Sequence, residues 1–317
     1  MIKRIGSIML GALLLWGCAG KKANEEQHLT IFHAGSLSMP LKAIADSFMR
    51  ENPGVVIDME AAGSIDCVRK VTELNKPCDV LASADFSIID SLMMPAFTAW
   101  NIRFAGNEMA IVFHEKSRLA DKINSDNWFE ILANKEVALG RSNPSSDPCG
   151  YRTVMMLQLA EKFYGKPNLA ANMLGKDKRY IRPKETDLLA LLESNAIDYI
   201  FLYRSVAIQH GLKFIELPDA INLGNPEMAV QYAEAKVTIA GKQPGDSLQV
   251  VGSPMVYGIT IPKNAENPAL AEKFVEFLLS PEKGGKVLAS MGQPSVVPSA
   301  ATGFDFIPSD LQQFAKK

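Results

Sequence analysis

Several kinds of residue on which common protein functions depend are scarce in this sequence. Its 317 residues include only four cysteines and four histidines. The histidines, at positions 28, 33, 114 and 210, do not have the spacing of a metal site. Four cysteines are too few for a disulfide-rich fold, and neither a P-loop nor a dinucleotide-binding glycine motif is present. These absences argue against a histidine-based metal site, a disulfide scaffold and a nucleotide-dependent enzyme.

An excess of charge of either sign is missing as well. The chain has 33 Lys and Arg residues against 35 Asp and Glu residues, a formal net charge of −2. That balance gives no electrostatic reason to expect a nucleic-acid partner. A hydrophobic content of 47% and a charged content of 21% are typical of a globular chain rather than a disordered one. At roughly 150 residues per domain, the length predicts about two domains.

The N-terminus departs from this average. Lys3 and Arg4 precede an uncharged apolar run over residues 5–16, and a small residue then precedes Cys18. This pattern predicts a secretory signal peptide over residues 1–17. A helix over that apolar run spans only ~18 Å, short of a bilayer core of ~30 Å, so it is not an ordinary membrane span. A buried N-terminal helix is the alternative, but the polar residues 18–28 favour a solvated tether.

From residue 29 onward, segments with strand-like and helix-like patterns alternate. This alternation predicts βαβ units, a parallel sheet and the α/β fold class. Two α/β lobes are expected, with lobe I formed by residues 29–112 and 254–317 and lobe II by residues 113–253. A cleft between two lobes is a favoured place for a ligand. Strands are predicted at 29–33, 55–59, 78–82, 109–113, 137–139, 198–203 and 255–261, and helices at 40–51, 64–71, 128–132, 150–164, 186–193 and 267–279.

Three turns rich in Gly and Ser fall where a strand passes into a helix. They are Gly35-Ser36, Gly63-Ser64 and the segment 147–150. The first N–H groups of a helix have no partner within the helix, and together with the helix dipole they favour a bound anion. Each turn alone is better explained as an ordinary helix cap. Three of them facing one cleft favour an anion-binding site.

Nucleophilic catalysis is the competing interpretation of the same serines. Ser36 and Ser64 each follow a glycine, but neither lies in the Gly-x-Ser-x-Gly pattern of a nucleophile elbow. His33 precedes Ser36 closely, yet it is expected inside a strand as a satisfied core or edge residue. A reactive cysteine is also disfavoured, because Cys67 and Cys78 could pair as a disulfide in an oxidising compartment.

Two carboxylates complete the candidate set. Asp147 and Glu185 each lie at the predicted start of a helix, where an acid is favourable to the helix dipole for purely structural reasons. Beside an anion site, an acid would repel an ordinary phosphate or sulfate. A functional role therefore requires a ligand that accepts a carboxylate oxygen, such as an oxyanion with a hard, high-valent metal centre.

Several motifs resemble one known family. His33–Leu37, Gly63–Asp66, Ser142–Arg152, Arg182–Leu189 and Tyr203–His210 look like the tungstate/molybdate-binding proteins of ABC importers, of the tungstate-transport type, and the similarity extends over about residues 29–300. The family implies a type II periplasmic-binding-protein fold with an oxyanion held between two lobes. The sequence Leu-Trp-Gly-Cys18 similarly resembles a bacterial lipobox, which implies a lipid on Cys18.

The resemblance also implies which residues form the site. Gly35, Ser36 and Ser64 would supply donors from the first lobe, and Tyr203 a phenolic donor. Asp147, Pro148 and Cys149 would supply the turn of the second lobe. Asp147 and Glu185 would approach the metal and expand its coordination beyond four oxygens.

The resemblance further implies a binding protein without cofactor or catalytic residues. The expected location is extracytoplasmic, at a membrane through the lipid on Cys18, and the expected partners are a small oxyanion and an ABC permease with its ATPase. Such carriers generally work as monomers. Two alternatives remain at this point: the same fold binding sulfate or phosphate, and a secreted serine hydrolase.

Overall fold

The computed structural model describes residues 26–242 and 245–317. The predicted signal peptide over residues 1–17 and the predicted lipid site Cys18 lie outside these ranges. The strands within them are β1 (Gln27–Ala34), β2 (Val55–Ala62), β3 (Val80–Ser83), β4 (Asn101–Gly106), β5 (Met109–Phe113), β6 (Leu139–Ser142), β7 (Ile181–Arg182), β8 (Tyr199–Tyr203), β9 (Lys213–Glu216), β10 (Lys236–Ala240), β11 (Ser247–Val251), β12 (Val256–Thr260), β13 (Ser299–Thr302) and β14 (Ala315–Lys316).

Helices follow most of these strands. Short 3-10 turns at Gly35–Leu37 and Glu185–Leu188 precede α1 and α7 respectively. Across residues 26–242 and 245–317, none of the helices combines the length and the apolar character that crossing a bilayer requires. The helices are α1 (Ser38–Glu51), α2 (Ser64–Thr72), α3 (Phe86–Ile88), α4 (Trp128–Ala133), α5 (Pro148–Phe163), α6 (Leu169–Gly175), α7 (Leu189–Glu193), α8 (Arg204–Gln209), α9 (Asp219–Asn222), α10 (Ala229–Tyr232), α11 (Pro268–Leu279) and α12 (Gly284–Ser290).

The local signals that predict α1 and α5 are visible in their packing. The apolar face of α1, which includes Leu41, Ile44 and Phe48, is buried as its helical spacing predicts. The helix ends at Asn52, whose side-chain amide donates to Phe48 O at 2.9 Å. Helix α5 begins with a proline, and Asp147 caps it. Proline suits the first helical position because that N–H would have no partner in the helix.

A seven-stranded sheet draws on both ends of the described chain. Its strand order is β14-β13-β4-β12-β3-β1-β2. Strands β1, β2 and β3 are parallel neighbours, whereas β12 runs antiparallel to β3 and β4. The Gly35-Ser36 and Gly63-Ser64 turns follow the carboxyl ends of β1 and β2, so the sheet delivers both turns to one edge.

The second sheet has five strands in the order β7-β6-β8-β5-β9. Strand β6 is parallel to β7 and β8, but β5 is antiparallel to β8 and β9. The prediction of a parallel sheet is therefore right for strands joined through helices and wrong for β5 and β12. These two strands enter their sheets without an intervening helix, and a parallel pairing requires a long crossover that is usually helical.

The chain passes between the two sheets at residues 107–108, which separate β4 from β5. Strands β5 and β8 are buried along their whole length at the centre of the second sheet. Tyr203, the last residue of β8, is thereby brought to the side on which the two sheets face each other.

The disulfide considered between Cys67 and Cys78 is not formed. Both thiols are free and buried. The Cys67 thiol donates to His33 O at 3.3 Å, and the Cys78 thiol to Val80 O at 3.1 Å. Burial raises the pKa of Cys67 to about 12, so this thiol is also not a thiolate nucleophile. His33 lies inside β1 as predicted, and its Nδ1 contacts Ala34 O at 2.8 Å.

Candidate functional site

Asp147 and Glu185 follow the ends of two neighbouring parallel strands. In the pairing of β6 with β7, Ser142 lies opposite Arg182, and the Asn143 N–H extends the ladder to Arg182 O at 2.8 Å. The two loops therefore leave the same edge of the sheet side by side. The Glu185 N–H donates to Asp147 Oδ2 at 2.8 Å. The structure thus joins two acids that are distant in sequence.

Asp147 is held by a set of donors. Its Oδ1 accepts from the Cys149 N–H at 3.1 Å, and its Oδ2 accepts from Glu185. The Ser142 hydroxyl, buried and without a hydrogen-bond partner in the described part of the chain, lies near the same carboxylate. Burial raises the pKa of Asp147, and these donors oppose the shift. The result is a carboxylate that is fixed in orientation and whose charged form is favoured by these donors against the effect of burial.

Glu185 is in a different position. Its residue is only 1% exposed, and neither Oε1 nor Oε2 has a hydrogen-bond partner among the residues that the structure describes. Burial, followed by the charge of Asp147, raises the pKa of Glu185 well above its ordinary value. A buried carboxyl group without a close hydrogen-bond partner is costly, because the lost hydration is not replaced by hydrogen bonds of normal length. Such a group indicates a place where something else binds.

Three predicted hydroxyl groups converge on the same region, and each accepts a hydrogen bond from the protein. Ser36 Oγ accepts from the Tyr257 hydroxyl at 2.9 Å, and Ser64 Oγ from the Ala84 N–H at 2.9 Å. The Tyr203 hydroxyl accepts from Arg152 Nη1 at 3.1 Å. Burial raises the pKa of Tyr203 well above its ordinary value, so the phenol keeps its proton. A hydroxyl has one proton to donate, so each of these groups can still donate to a ligand.

Two glycines allow the two sheets to approach closely. A Cβ on Gly35 would lie 2.8 Å from Thr186 Oγ1 and 3.0 Å from Glu185 Oε1. A Cβ on Gly63 would lie 2.2 Å from Ser146 O. The Gly35-Ser36 turn is thus packed directly on the Glu185 loop, and the Gly63-Ser64 turn on the Asp147 loop. Both contacts lie beside the two acids, and Asp147 and Glu185 are each 1% exposed.

The turn at residues 147–150, at the start of α5, contributes a carboxylate to the site rather than main-chain donors. Pro148 has no N–H, and the Cys149 N–H is already bonded to Asp147. The Gly150 N–H donates to Asp147 O at 3.0 Å. The main-chain donors at the start of α5 are therefore occupied within the turn. Burial raises the pKa of the Cys149 thiol well above its ordinary value, so no thiolate is present either.

Positive charge near the site is paired with acids. Arg152, which is buried, lies 3.1 Å from Asp85 Oδ2, and the Tyr151 hydroxyl donates to the same carboxylate. Lys184 pairs with Asp187 at 3.2 Å. Within the part of the chain that the structure describes, the site consequently presents hydroxyl donors and two acids, and the neighbouring Arg152 and Lys184 are paired with acids. This combination is poorly suited to sulfate or phosphate, and well suited to a ligand with an electrophilic centre surrounded by oxygens.

Sequence reasoning missed several residues of this arrangement. Ser142 is the first residue of the Ser142–Arg152 motif, and Tyr257 lies in the stretch Val256–Thr260, which fits the pattern of the same family, so these motifs could have identified both residues. Asp85 caps the short helix α3 and has no distinguishing pattern in the sequence. Asn107 and Gln293 contact the site only through Tyr257 and Ser36, so only the folded structure reveals them.

Comparisons with known proteins agree with this geometry. The sequence profile of the bacterial extracellular solute-binding proteins matches residues 29–292. An uncharacterized solute-binding protein of Petrotoga mobilis is 45% identical over 91% of this chain and 90% of its own. A molybdate/tungstate-binding protein of Pyrococcus abyssi is 41% identical over 98% of this chain and 96% of its own. The resemblance inferred from the motifs is confirmed.

The fold is confirmed by solved structures. The periplasmic molybdate-binding protein of Azotobacter vinelandii superimposes with a TM-score of 0.55 at 18% identity, covering 85% of this chain and 99% of that one. At this level of identity the likeness establishes the two-lobe periplasmic-binding-protein fold alone. Solute-binding proteins are transport components rather than enzymes, so the relatives exclude the serine-hydrolase interpretation.

Proposed function

This chain belongs to the bacterial extracellular solute-binding protein family, and we propose that it captures tungstate or molybdate between its lobes and delivers the anion to an ABC permease and its ATPase. The lobes of this proposal are residues 29–112 with 254–317, and residues 113–253. The molybdate/tungstate-binding protein of Pyrococcus abyssi, similar over nearly the full length, supports the choice of ligand.

The observation on which the proposal depends is the unpartnered Glu185 carboxylate beside Asp147. Carboxylate oxygens are hard ligands that suit a hard, high-valent metal centre. In the bound state, Asp147 and Glu185 ligate the tungsten or molybdenum atom and expand its coordination beyond its four oxo groups. Ligation stabilises the buried charge of Glu185, which has no other partner among the described residues.

The oxo groups are held by neutral donors. Ser36 and Ser64 donate from the Gly35-Ser36 and Gly63-Ser64 turns of the first lobe, and Tyr203 donates from the second. At the turn formed by Asp147, Pro148 and Cys149, the carboxylate is the group that reaches the ligand. The Cys149 N–H acts through Asp147 by holding its Oδ1 at 3.1 Å.

Discrimination against sulfate and phosphate follows from the same two acids. A sulfur or phosphorus centre does not accept additional carboxylate ligands, so sulfate and phosphate would gain no ligation from the two acids and would be repelled by each acid that is charged. Building repulsion against the wrong partner is a general route to specificity. The acids therefore reject the abundant anions while they bind the rare one.

Isothermal titration calorimetry of the purified protein with tungstate, molybdate, sulfate and phosphate tests the proposal. Tungstate and molybdate are expected to bind at least about 100-fold more tightly than the other two, since each factor of ten corresponds to only ~1.4 kcal/mol. Sulfate or phosphate binding as tightly as tungstate would contradict the carboxylate account and favour the alternative of a general anion carrier.

The remaining elements of the proposal concern the location of the protein. Cleavage after residue 17 and lipidation of Cys18 would anchor a monomeric carrier at the extracytoplasmic face of a membrane. Incorporation of labelled fatty acid that is lost in Cys18→Ser would support this anchor. Equal labelling of the variant would contradict it.

A further inference from the structure

Two side-chain amides fix the direction of a hydrogen-bond chain that ends at Ser36. Asn107 Oδ1 accepts from the Glu108 N–H at 2.9 Å, so its Nδ2 is the atom that faces the Tyr257 hydroxyl at 2.8 Å. Gln293 Nε2 donates to Ser36 O at 3.0 Å, and the same nitrogen lies 3.2 Å from the Tyr257 hydroxyl. Each amide orientation is therefore determined by a main-chain group that can only accept or only donate.

The consequence is a fixed proton position on Tyr257. Two donors are directed at its oxygen, so its single proton is left for Ser36 Oγ at 2.9 Å. Burial raises the pKa of Tyr257 to about 12, so that proton is present at neutral pH. Ser36 Oγ, having accepted this bond, donates to no acceptor among the residues that the structure describes.

We propose that Tyr257, oriented by Asn107 and Gln293, is a positioning residue that makes Ser36 an obligate hydrogen-bond donor to the bound oxyanion. This assignment rests on the proposed function. A free serine hydroxyl rotates and can either donate or accept, and fixing it as a donor selects ligands that present bare oxygens. Pre-organised donors also avoid the cost of ordering the hydroxyl on binding.

The position of Asn107 connects this chain of bonds to the passage between the two sheets. Asn107 lies between β4 and β5, and its Nδ2 also donates to Ser205 Oγ at 2.7 Å. Ser205 belongs to helix α8 beside the five-stranded sheet, whereas Tyr257 belongs to the seven-stranded sheet. The donor role of Ser36 therefore depends on Asn107, which lies where the chain passes from one sheet to the other.

A double-mutant cycle tests the assignment by calorimetry with sodium tungstate. Tyr257→Phe is expected to weaken tungstate binding by roughly 10-fold, the effect of one lost hydrogen bond to a charged ligand. In the Ser36→Ala background, the same substitution is expected to have no further effect, because the hydroxyl on which it acts is gone. Tyr199→Phe is the matched control, since it removes a buried hydroxyl that donates to Arg118 O at 2.6 Å.

A second variant keeps the assignment testable if Tyr257→Phe does not fold. Asn107→Asp preserves the acceptor for the Glu108 N–H but turns the other atom into an acceptor for the Tyr257 proton, which then leaves Ser36. Roughly 10-fold weaker tungstate binding is again expected, and this loss should be reduced in the Ser36→Ala background.

The outcomes separate this assignment from the proposed function. Unchanged tungstate affinity in Tyr257→Phe would overturn the positioning role, as would equal losses with and without the Ser36 hydroxyl. Failure of the unsubstituted protein to bind tungstate would overturn the proposed function, and the positioning role with it.

Discussion

The main-chain N–H of Glu185 donates to Asp147 Oδ2 at 2.8 Å. This bond ties the loop that carries one acid to the carboxylate of the other, so the two acids form a single unit at the edge of the five-stranded sheet. Asp147 accepts hydrogen bonds from two main-chain N–H groups, whereas neither carboxyl oxygen of Glu185 makes a hydrogen bond to a described residue. The pair is thus unequal: the donors around Asp147 oppose the rise of its pKa on burial, whereas Glu185, whose pKa is raised well above its ordinary value, retains a proton more readily when the site is empty.

Asp147→Asn should weaken tungstate binding by about 10- to 100-fold, because it removes a charged ligand and a charge-assisted acceptor. Sulfate binding should be lost to a smaller extent or improve, since the repulsion is reduced. Calorimetry with both anions measures the difference. Asp187→Asn is the control, because Asp187 is a more exposed acid two residues after Glu185 that pairs with Lys184. Equal losses for tungstate and sulfate would refute metal ligation by Asp147.

Glu185→Gln should stabilise the empty protein while it abolishes tight tungstate binding. The pKa of Glu185 is raised in the folded state, so the folded protein binds more protons than the unfolded chain. Its stability therefore falls as the pH rises from the ordinary carboxyl pKa through the raised one. The glutamine variant lacks this loss, and its melting temperature should exceed that of the parent at neutral pH but not at acid pH.

The control for this stability experiment is Glu193→Gln, an exposed glutamate at the end of α7. Its melting temperature should follow that of the parent protein at every pH. A Glu185→Gln variant that is less stable than the parent at neutral pH would show that the carboxylate has a stabilising partner in the empty protein.

Tungstate affinity should itself fall as the pH is lowered through the raised pKa of Glu185. Ligation requires the deprotonated carboxylate, so the anion must displace a proton when the pH lies below that pKa. Binding should therefore release protons in this range, which is measurable as a dependence of the calorimetric enthalpy on the ionisation enthalpy of the buffer. The release should be absent in Glu185→Gln, and its persistence there would assign the proton to another group.

The alternation of strands and helices was predictable because each element carries its own periodicity and caps. Thus α1, α5 and the central strands lie close to their predicted ranges. Pairing direction was less predictable, because it depends on whether a helix separates two strands. The prediction for β6, 137–139, is early by about two residues, and β4, an interior strand of the seven-stranded sheet, had no distinct pattern.

The site residues, too, were predictable where the signal is local in the sequence and not where it depends on distant contacts. Gly35, Ser36, Ser64 and Asp147 stand in local turns whose chemistry is visible in the sequence. The proximity of Glu185 to Asp147 depends on β7, which has only two residues and gives no periodic signal. The bonds that orient the hydroxyls come from residues far away in the chain, such as Tyr257 and Arg152, and periodicity carries no information about them.

Replacing either glycine of the two first turns with alanine should weaken tungstate binding, by an amount that depends on what the new Cβ meets. Gly63→Ala should weaken tungstate binding more than Gly35→Ala, since the new Cβ meets main-chain Ser146 O at 2.2 Å in one case and side-chain atoms at 2.8 Å in the other. Gly175→Ala is the control, because a Cβ there meets nothing within 4 Å. Parent-like affinity in Gly63→Ala would mean that this close approach is not needed for binding.

The coordination number of the bound metal tests the central claim most directly. X-ray absorption at the tungsten edge of the tungstate-loaded protein should show two oxygen neighbours in addition to the four oxo groups, one from Asp147 and one from Glu185. The additional neighbours should be lost in the Asp147→Asn and Glu185→Gln double variant. A spectrum with four oxygen neighbours, unchanged from that of free tungstate, would contradict the account.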